Sequence, residues 1–231
     1  MGRANSITLV FFLGQAAFMS DTSTDQVQAS SQPTVTDRLR RLFRAPIQNI
    51  ARGLIAIGIG PNTLTIGGFL VSIIPAILAA QGRFTVAGLA YLLCTPLDAL
   101  DGAVARESSK VSRFGGLLDS TLDRYTEALL FGGLAYYMTQ IGNKVGVVLA
   151  FAALFGSVMV SYLRARSEGL AIDNKVGLMT RVERTVLTII GLISGYVPIV
   201  LIMLAVLAVF TQVTVIQRMW RVYHATQMDG Q

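Results

Sequence analysis

Asp98-Ala-Leu-Asp101-Gly102-Ala-Val-Ala105-Arg106, followed after eight residues by Gly115-Gly-Leu-Leu-Asp119-Ser-Thr-Leu-Asp123, is the stretch on which the reading of this sequence turns. Asp98 and Asp101 are three residues apart, and Asp119 and Asp123 are four apart. On a helix each spacing sets both carboxylates on one face. The first pair closes an apolar run and the second opens another, with only a short connection between them. Two antiparallel neighbouring helices are therefore expected, with four carboxylates converging at one end of the pair.

Composition says where such helices sit. Of 231 residues, 53% are hydrophobic and 14% charged, and the mean hydropathy is +0.59. A soluble domain of this length has too much surface to be that apolar, so a polytopic membrane protein is expected. Apolar spans fall at about 64–80, 85–104, 115–140, 145–163 and 185–216. The last, at ~1.5 Å per residue, is about 48 Å long against a ~30 Å hydrocarbon core, so it must hold two crossings. Gly195-Tyr-Val-Pro198 supplies the turn, and Pro61-Asn62-Thr63 starts the first span.

The expected fold is thus all-α, with six transmembrane helices. An amphipathic interfacial helix over 35–57 precedes them, where Arg38, Arg40, Arg41, Arg44 and Arg52 alternate with apolar residues and Pro46 interrupts the run. Residues 1–34 read as a loosely attached, disordered tail, 58–221 as the six-helix domain and 222–231 as a C-terminal tail. Within the first tail, Ile7 to Met19 is an apolar run of signal-peptide length, too short to span a bilayer; the expectation is that Met19 is the true start or that the first residues form a loose interfacial tail.

Charge gives the orientation. Arg106, Lys110 and Arg113 lie between spans two and three; Arg164, Arg166, Lys175, Arg181 and Arg184 lie between four and five; Arg218 and Arg221 follow six. The opposite loops carry Arg83 and Lys144. Lysine and arginine collect on the cytoplasmic side, which puts both termini and the acidic cluster there, at the plasma (inner) membrane. The net charge of +6 is read as topology and contact with membrane lipids rather than nucleic-acid binding. Cys94 alone excludes an intrachain disulfide.

Four ionised acids near a bilayer cost free energy, and their mutual repulsion adds to it. Hard carboxylate oxygens suit Mg²⁺, Mn²⁺ or Ca²⁺, and two such cations would balance four carboxylates. A metal pair is also suited to a pyrophosphate and to in-line displacement at phosphorus. The alternatives are helix-end acids paired with Arg106, Arg113 or Arg124, or the proton path of a small cation or proton transporter. Gly102 and Ala105 clear one side of the helix for a bulky polar ligand, and Arg106 follows where a phosphate would be gripped.

The fixed positions Asp98, Asp101, Gly102, Ala105, Arg106, Gly115, Asp119 and Asp123 match every one in the pattern of the CDP-alcohol phosphotransferase family. The chain from about Val35 onward resembles that family. The resemblance implies that Asp98, Asp101, Asp119 and Asp123 hold two divalent cations, Mg²⁺ or Mn²⁺. It implies that Asn62, Gly102, Arg106 and Gly115 bind the CDP of a CDP-lipid donor, such as CDP-diacylglycerol or its archaeal equivalent. Asp123 would take the proton from the attacking alcohol, CMP would leave, and the enzyme would be a homodimer.

A second basic group, Arg164, Arg166, Arg181 and Arg184, points to the acceptor. Arginine forks grip phosphate, which favours a phosphorylated polyol over serine or choline. Positive-inside placement, with Glu168 and Glu183 as partners, is the competing account of the same residues. The region resembles the branch that makes phosphatidylinositol phosphate or its archaeal counterpart from inositol 1-phosphate. It departs from that branch at Arg164 and Ser167, where lysine and alanine are usual, and glycerol 3-phosphate is the alternative acceptor.

Overall fold

In the computed structural model, the described residues are 48–108 and 110–228, and their regular structure is entirely helical. Seven helices follow one another: α1 over 48–56, α2 Pro61–Ala80, α3 Phe84–Glu107, α4 Arg113–Gln140, α5 Lys144–Glu168, α6 Arg181–Ile193 and α7 Val197–Met228. The expected tail over 1–34 and the first part of the interfacial helix lie outside the described residues.

Local chemistry sets the ends of these helices. Pro61 opens α2, where its missing N–H costs nothing. Gly82 and Gly142, at φ +74° and +70°, close α2 and α4. In both turns the glycine N–H and the next N–H reach back to the last carbonyls, Gly82 to Ala79 and Arg83 to Leu78, then Gly142 to Thr139 and Asn143 to Met138. Asn143 at once caps α5, its Oδ1 accepting from the Gly146 N–H at 2.8 Å. The long apolar run near the C-terminus breaks at 194–196, where the sequence puts its turn, because Pro198 has no N–H to return to the Ser194 carbonyl.

Four helices are long and apolar enough to cross a membrane: Pro61–Ala80, Phe84–Glu107, Lys144–Glu168 and the run Val197–Gln227. Of the six expected spans, α4 and α6 fall outside that set. The helix α4 carries Asp119, Asp123, Arg124 and Glu127, and α6 has 13 residues. The expected C-terminal tail also differs, since α7 runs on through Met228. Nothing from 222 to 228 breaks a helix, and Trp220 stacks edge-on with His224 at 4.7 Å.

The chain divides into two compact units. Of the described residues, the first comprises those up to Val71 together with Leu93–Leu122, and the second Ser72–Leu92 together with those from Asp123 onward. In the first, Ala51 of α1 packs with Ala103 and Val104 of α3, flanked by Leu54, Ile55 and Leu64. Arg52 meets Glu107 at 3.3 Å on its surface.

In the second unit α5 packs along α7. The buried face of α5 is made of small residues, Gly146, Ala150, Ala153, Gly156 and Ser157, which let the helices approach closely. Val148, Phe151 and Phe155 point outward from α5, and Ile202, Val209 and Ile216 from α7, as lipid-facing positions should. Thr211 fills the space beside Gly156 so fully that a Cβ there would meet its Oγ1 and lie 2.7 Å from its Cβ. Gly156→Ala is accordingly expected to cost about 1–3 kcal/mol. Thermal unfolding in detergent checks this, and an unchanged midpoint would refute such close packing.

Candidate active site

In the first unit, Asp101 lies on α3 and is 8% exposed. Its Oδ2 accepts the hydroxyl hydrogen bond of Thr65 at 2.8 Å, which ties α3 to the first turns of α2. Gly102, Ala105 and Arg106 follow on α3, with Arg106 exposed in its last turn. Asp98 lies in the same helix, but its side chain is outside the described residues. Ser112 starts α4, its Oγ accepting from the Gly115 N–H at 2.9 Å. A Cβ on Gly115 would lie 3.0 Å from Ser112 Oγ and 3.2 Å from Asn62 Oδ1. Asn62 and Gly115 are thus brought together, and the absence of a side chain at 115 is what lets Ser112 and Asn62 approach so closely. Asp119, half-buried, follows one turn later.

In the second unit, Asp123 is buried. Its Oδ1 accepts from Arg181 Nη2 at 2.5 Å, and Arg124 Nη1 lies 3.9 Å from Oδ2. One turn further on, Glu127 Oε1 accepts from Arg184 Nη2 at 2.9 Å. Asp123 and Glu127 are four apart on α4, Arg181 and Arg184 three apart on α6, so two ion pairs stack as rungs between these helices. The second rung is the drier: its side chains are 3% and 9% exposed, whereas that of Arg181 is 32% exposed.

The carboxylates offer hard oxygen donors of the kind Mg²⁺ and Mn²⁺ prefer, and Asp101 is already oriented by a hydroxyl. Among the described residues, no three His, Cys, Asp or Glu are grouped as metal ligands.

The sequence matches the CDP-alcohol phosphatidyltransferase family over residues 59–226, well over half of its length. The chain belongs to that family. It is 35% identical over 192 residues to the archaetidylinositol phosphate synthase of Pyrococcus horikoshii, covering 83% of this chain and 98% of the other. Its structure resembles the crystal structure of the Mycobacterium tuberculosis phosphatidylinositol phosphate synthase with CDP-DAG bound, with TM-score 0.73, 29% identity, and coverage of 77% of this chain and 93% of that one. A structure of the same mycobacterial enzyme with manganese and citrate matches with TM-score 0.72 at 30% identity, over 77% of this chain and 88% of that one. This chain is therefore a multi-pass membrane enzyme, a CDP-alcohol phosphatidyltransferase.

The remaining arginines of this transferase divide by environment. Arg164 pairs with Glu168 one turn on, at 2.9 Å, and Arg166 is exposed in the last turn of α5. Arg184 is buried, held by Glu127 and by the Met179 carbonyl at 3.3 Å. Glu183 takes the Thr180 hydroxyl. Arg218 is not the loop charge that the orientation rule makes of it. It is buried within α7, where its Nε donates to the Val176 carbonyl at 3.0 Å and its Nη1 to the Val160 carbonyl.

With Arg218, further bonds strap the segment before α6 onto α5 and α7. Asn174 Nδ2 donates to Ser167 Oγ at 2.9 Å and to the Arg218 carbonyl at 3.0 Å, and the Met179 N–H donates to Thr214 Oγ1 at 2.9 Å. That strap sets where α6, and hence Arg181, begins. Sequence reasoning missed Thr65, Asn174 and Glu127. Only Glu127 left a signal, as a third acid at the four-residue spacing of Asp119 and Asp123.

Proposed function

We propose that this transferase moves a phosphatidyl-type group from a CDP-lipid onto a hydroxyl of inositol 1-phosphate. The hydroxyl oxygen forms a bond to the lipid-bearing phosphorus as the pyrophosphate P–O bond breaks. CMP leaves with those electrons, and the hydroxyl proton passes to Asp123. Two divalent cations, Mg²⁺ or Mn²⁺, held by Asp98, Asp101, Asp119 and Asp123, would neutralise the pyrophosphate and stabilise the departing phosphate oxygen. Asn62, Gly102, Arg106 and Gly115 would seat the CDP, Asn62 and Gly115 already lying side by side.

The observation that carries the acceptor reading is the contact of Arg181 with Asp123 at 2.5 Å. A guanidinium beside the base lets an acceptor phosphate on Arg181 bring its own hydroxyl toward Asp123, which serine and choline cannot exploit. Arg164 and Arg166 would add charge from α5, and Arg184 would act from behind. The names of the Pyrococcus and Mycobacterium enzymes support inositol phosphate over glycerol 3-phosphate. Six crossings, α2 to α7, with the acidic cluster and both termini cytoplasmic, complete the proposal. The arginines at the ends of α3 and α5 and the start of α6 support it.

The test is CMP release and product-lipid mass in nanodiscs, with CDP-diacylglycerol, Mn²⁺ or Mg²⁺, and inositol 1-phosphate, glycerol 3-phosphate or serine in turn. A product carrying inositol phosphate is expected, and turnover with glycerol 3-phosphate alone would replace the acceptor. Arg181→Ala is expected to raise KM for the phosphorylated acceptor by about tenfold or more, with KM for the CDP-lipid little changed. The reverse split would assign Arg181 to the donor.

A further inference from the structure

Within the second unit, beside the Glu127–Arg184 pair, lies a cavity of about 10 Å³ lined by α3, α4, α5 and α6, the room of roughly one water molecule. Three buried polar atoms among its lining residues have no hydrogen-bond partner among the described residues: Glu127 Oε2, Ser157 Oγ and Arg184 Nε. Glu127, Ser157 and Arg184 are 7%, 0% and 2% exposed, so bulk water does not serve them. Of the other hydroxyl-bearing residues at the cavity, Tyr91, Thr185 and Thr188, the two threonines give theirs to the Arg181 and Arg184 carbonyls, each at 2.8 Å.

The three atoms complement one another. Arg184 Nε–H only donates, Glu127 Oε2 accepts, and the Ser157 hydroxyl does either. A cation is disfavoured by the guanidinium, an anion by the carboxylate, and an apolar guest by all three. A water can accept from Arg184, donate to Glu127 and bond Ser157, which is the usual number of contacts for a buried water.

We infer that a water molecule bound by Glu127, Ser157 and Arg184 joins α4, α5 and α6, and that Glu127 is through it a positioning residue for the Asp123–Arg181 pair. Glu127 lies one turn beyond Asp123, and Arg184 one turn beyond Arg181. Fixing the inner rung fixes the rotation of both helices, and so the direction in which Arg181 and Asp123 present their charged ends. The positioning role rests on the reading that Arg181 takes the acceptor phosphate and Asp123 its proton.

The experiment uses the full chain in nanodiscs, with Glu127→Gln, Ser157→Ala and, as reference, Arg181→Ala. Glu127→Gln is expected to raise KM for the phosphorylated acceptor by about tenfold and Ser157→Ala by about threefold, with KM for the CDP-lipid within about twofold of the parent. A merely structural role would reduce the active fraction, lowering kcat and leaving both KM values alone. That outcome would overturn the positioning role. If Glu127→Gln fails to fold, Ser157→Ala decides. Should Arg181→Ala raise the acceptor KM while the other two leave it unchanged, this inference alone falls; should none of the three raise it, the acceptor reading falls first and takes the positioning role with it. A density map that resolves other internal waters is expected to show one within hydrogen-bond distance of all three atoms. An empty cavity there overturns the water site whatever the kinetics show.

Discussion

Asp123→Asn is expected to lower kcat for CMP release about a thousandfold while leaving CDP-lipid binding within about threefold of the parent. Removing a general base from a proton transfer costs about 10²–10⁴ in rate, and an alcohol is a weak nucleophile until its proton has somewhere to go. Asparagine keeps the shape of aspartate and an oxygen for Arg181, so the buried contact with α6 loses charge rather than packing. Three of the four proposed metal carboxylates, Asp98, Asp101 and Asp119, remain for the donor. Single-turnover CMP release reads the chemical step, and protection from thermal unfolding by CDP with Mn²⁺ reads binding. Turnover near the parent level would remove Asp123 as base. Loss of nucleotide protection together with turnover would make it chiefly a metal ligand.

What the sequence disclosed divides by how far apart the interacting residues are along the chain. The Asp98 and Asp101 pair and the Asp119 and Asp123 pair are separated by one helical turn, so spacing alone predicts their shared faces. The break between α6 and α7 was legible for the same reason, because Pro198 acts on a carbonyl four residues away. Asn62 beside Gly115 required the family resemblance, since nothing local links them.

The arginines show the limit of a compositional rule. Positive-inside counting puts Arg181, Arg184 and Arg218 on one side of the membrane without saying what each one faces. Arg181 meets Asp123, Arg184 meets Glu127, and Arg218 meets the Val160 and Val176 carbonyls, each pairing set by the packing of one helix against another. Glu127 was visible as a third acid on the Asp119–Asp123 face, but its partner lies 57 residues away.

Arg184→Met is expected to cost about 3–5 kcal/mol of stability, the usual result of leaving one member of a buried ion pair behind. Methionine fills much of the arginine stem's volume and adds no polar group, so the loss falls on Glu127. That carboxylate is buried, its Oε1 accepts from Arg184, and its Oε2 has no hydrogen-bond partner among the described residues. The opposing consideration is that buried pairs are often no better than apolar replacements of equal volume. The two statements make different predictions for the double variant. If the pair exists for its charge balance, Glu127→Leu added to Arg184→Met should recover much of the lost stability, because the pair is then removed whole. The protein would be nearly as stable as the parent and still poor at using its acceptor, since α6 would have lost what orients Arg181. Unfolding midpoints of the two single variants and the double, in the same detergent, measure the coupling. A loss below about 1 kcal/mol for Arg184→Met would mean that water reaches Glu127 freely, and a double variant no better than the singles would mean that the pair is held by shape rather than by charge.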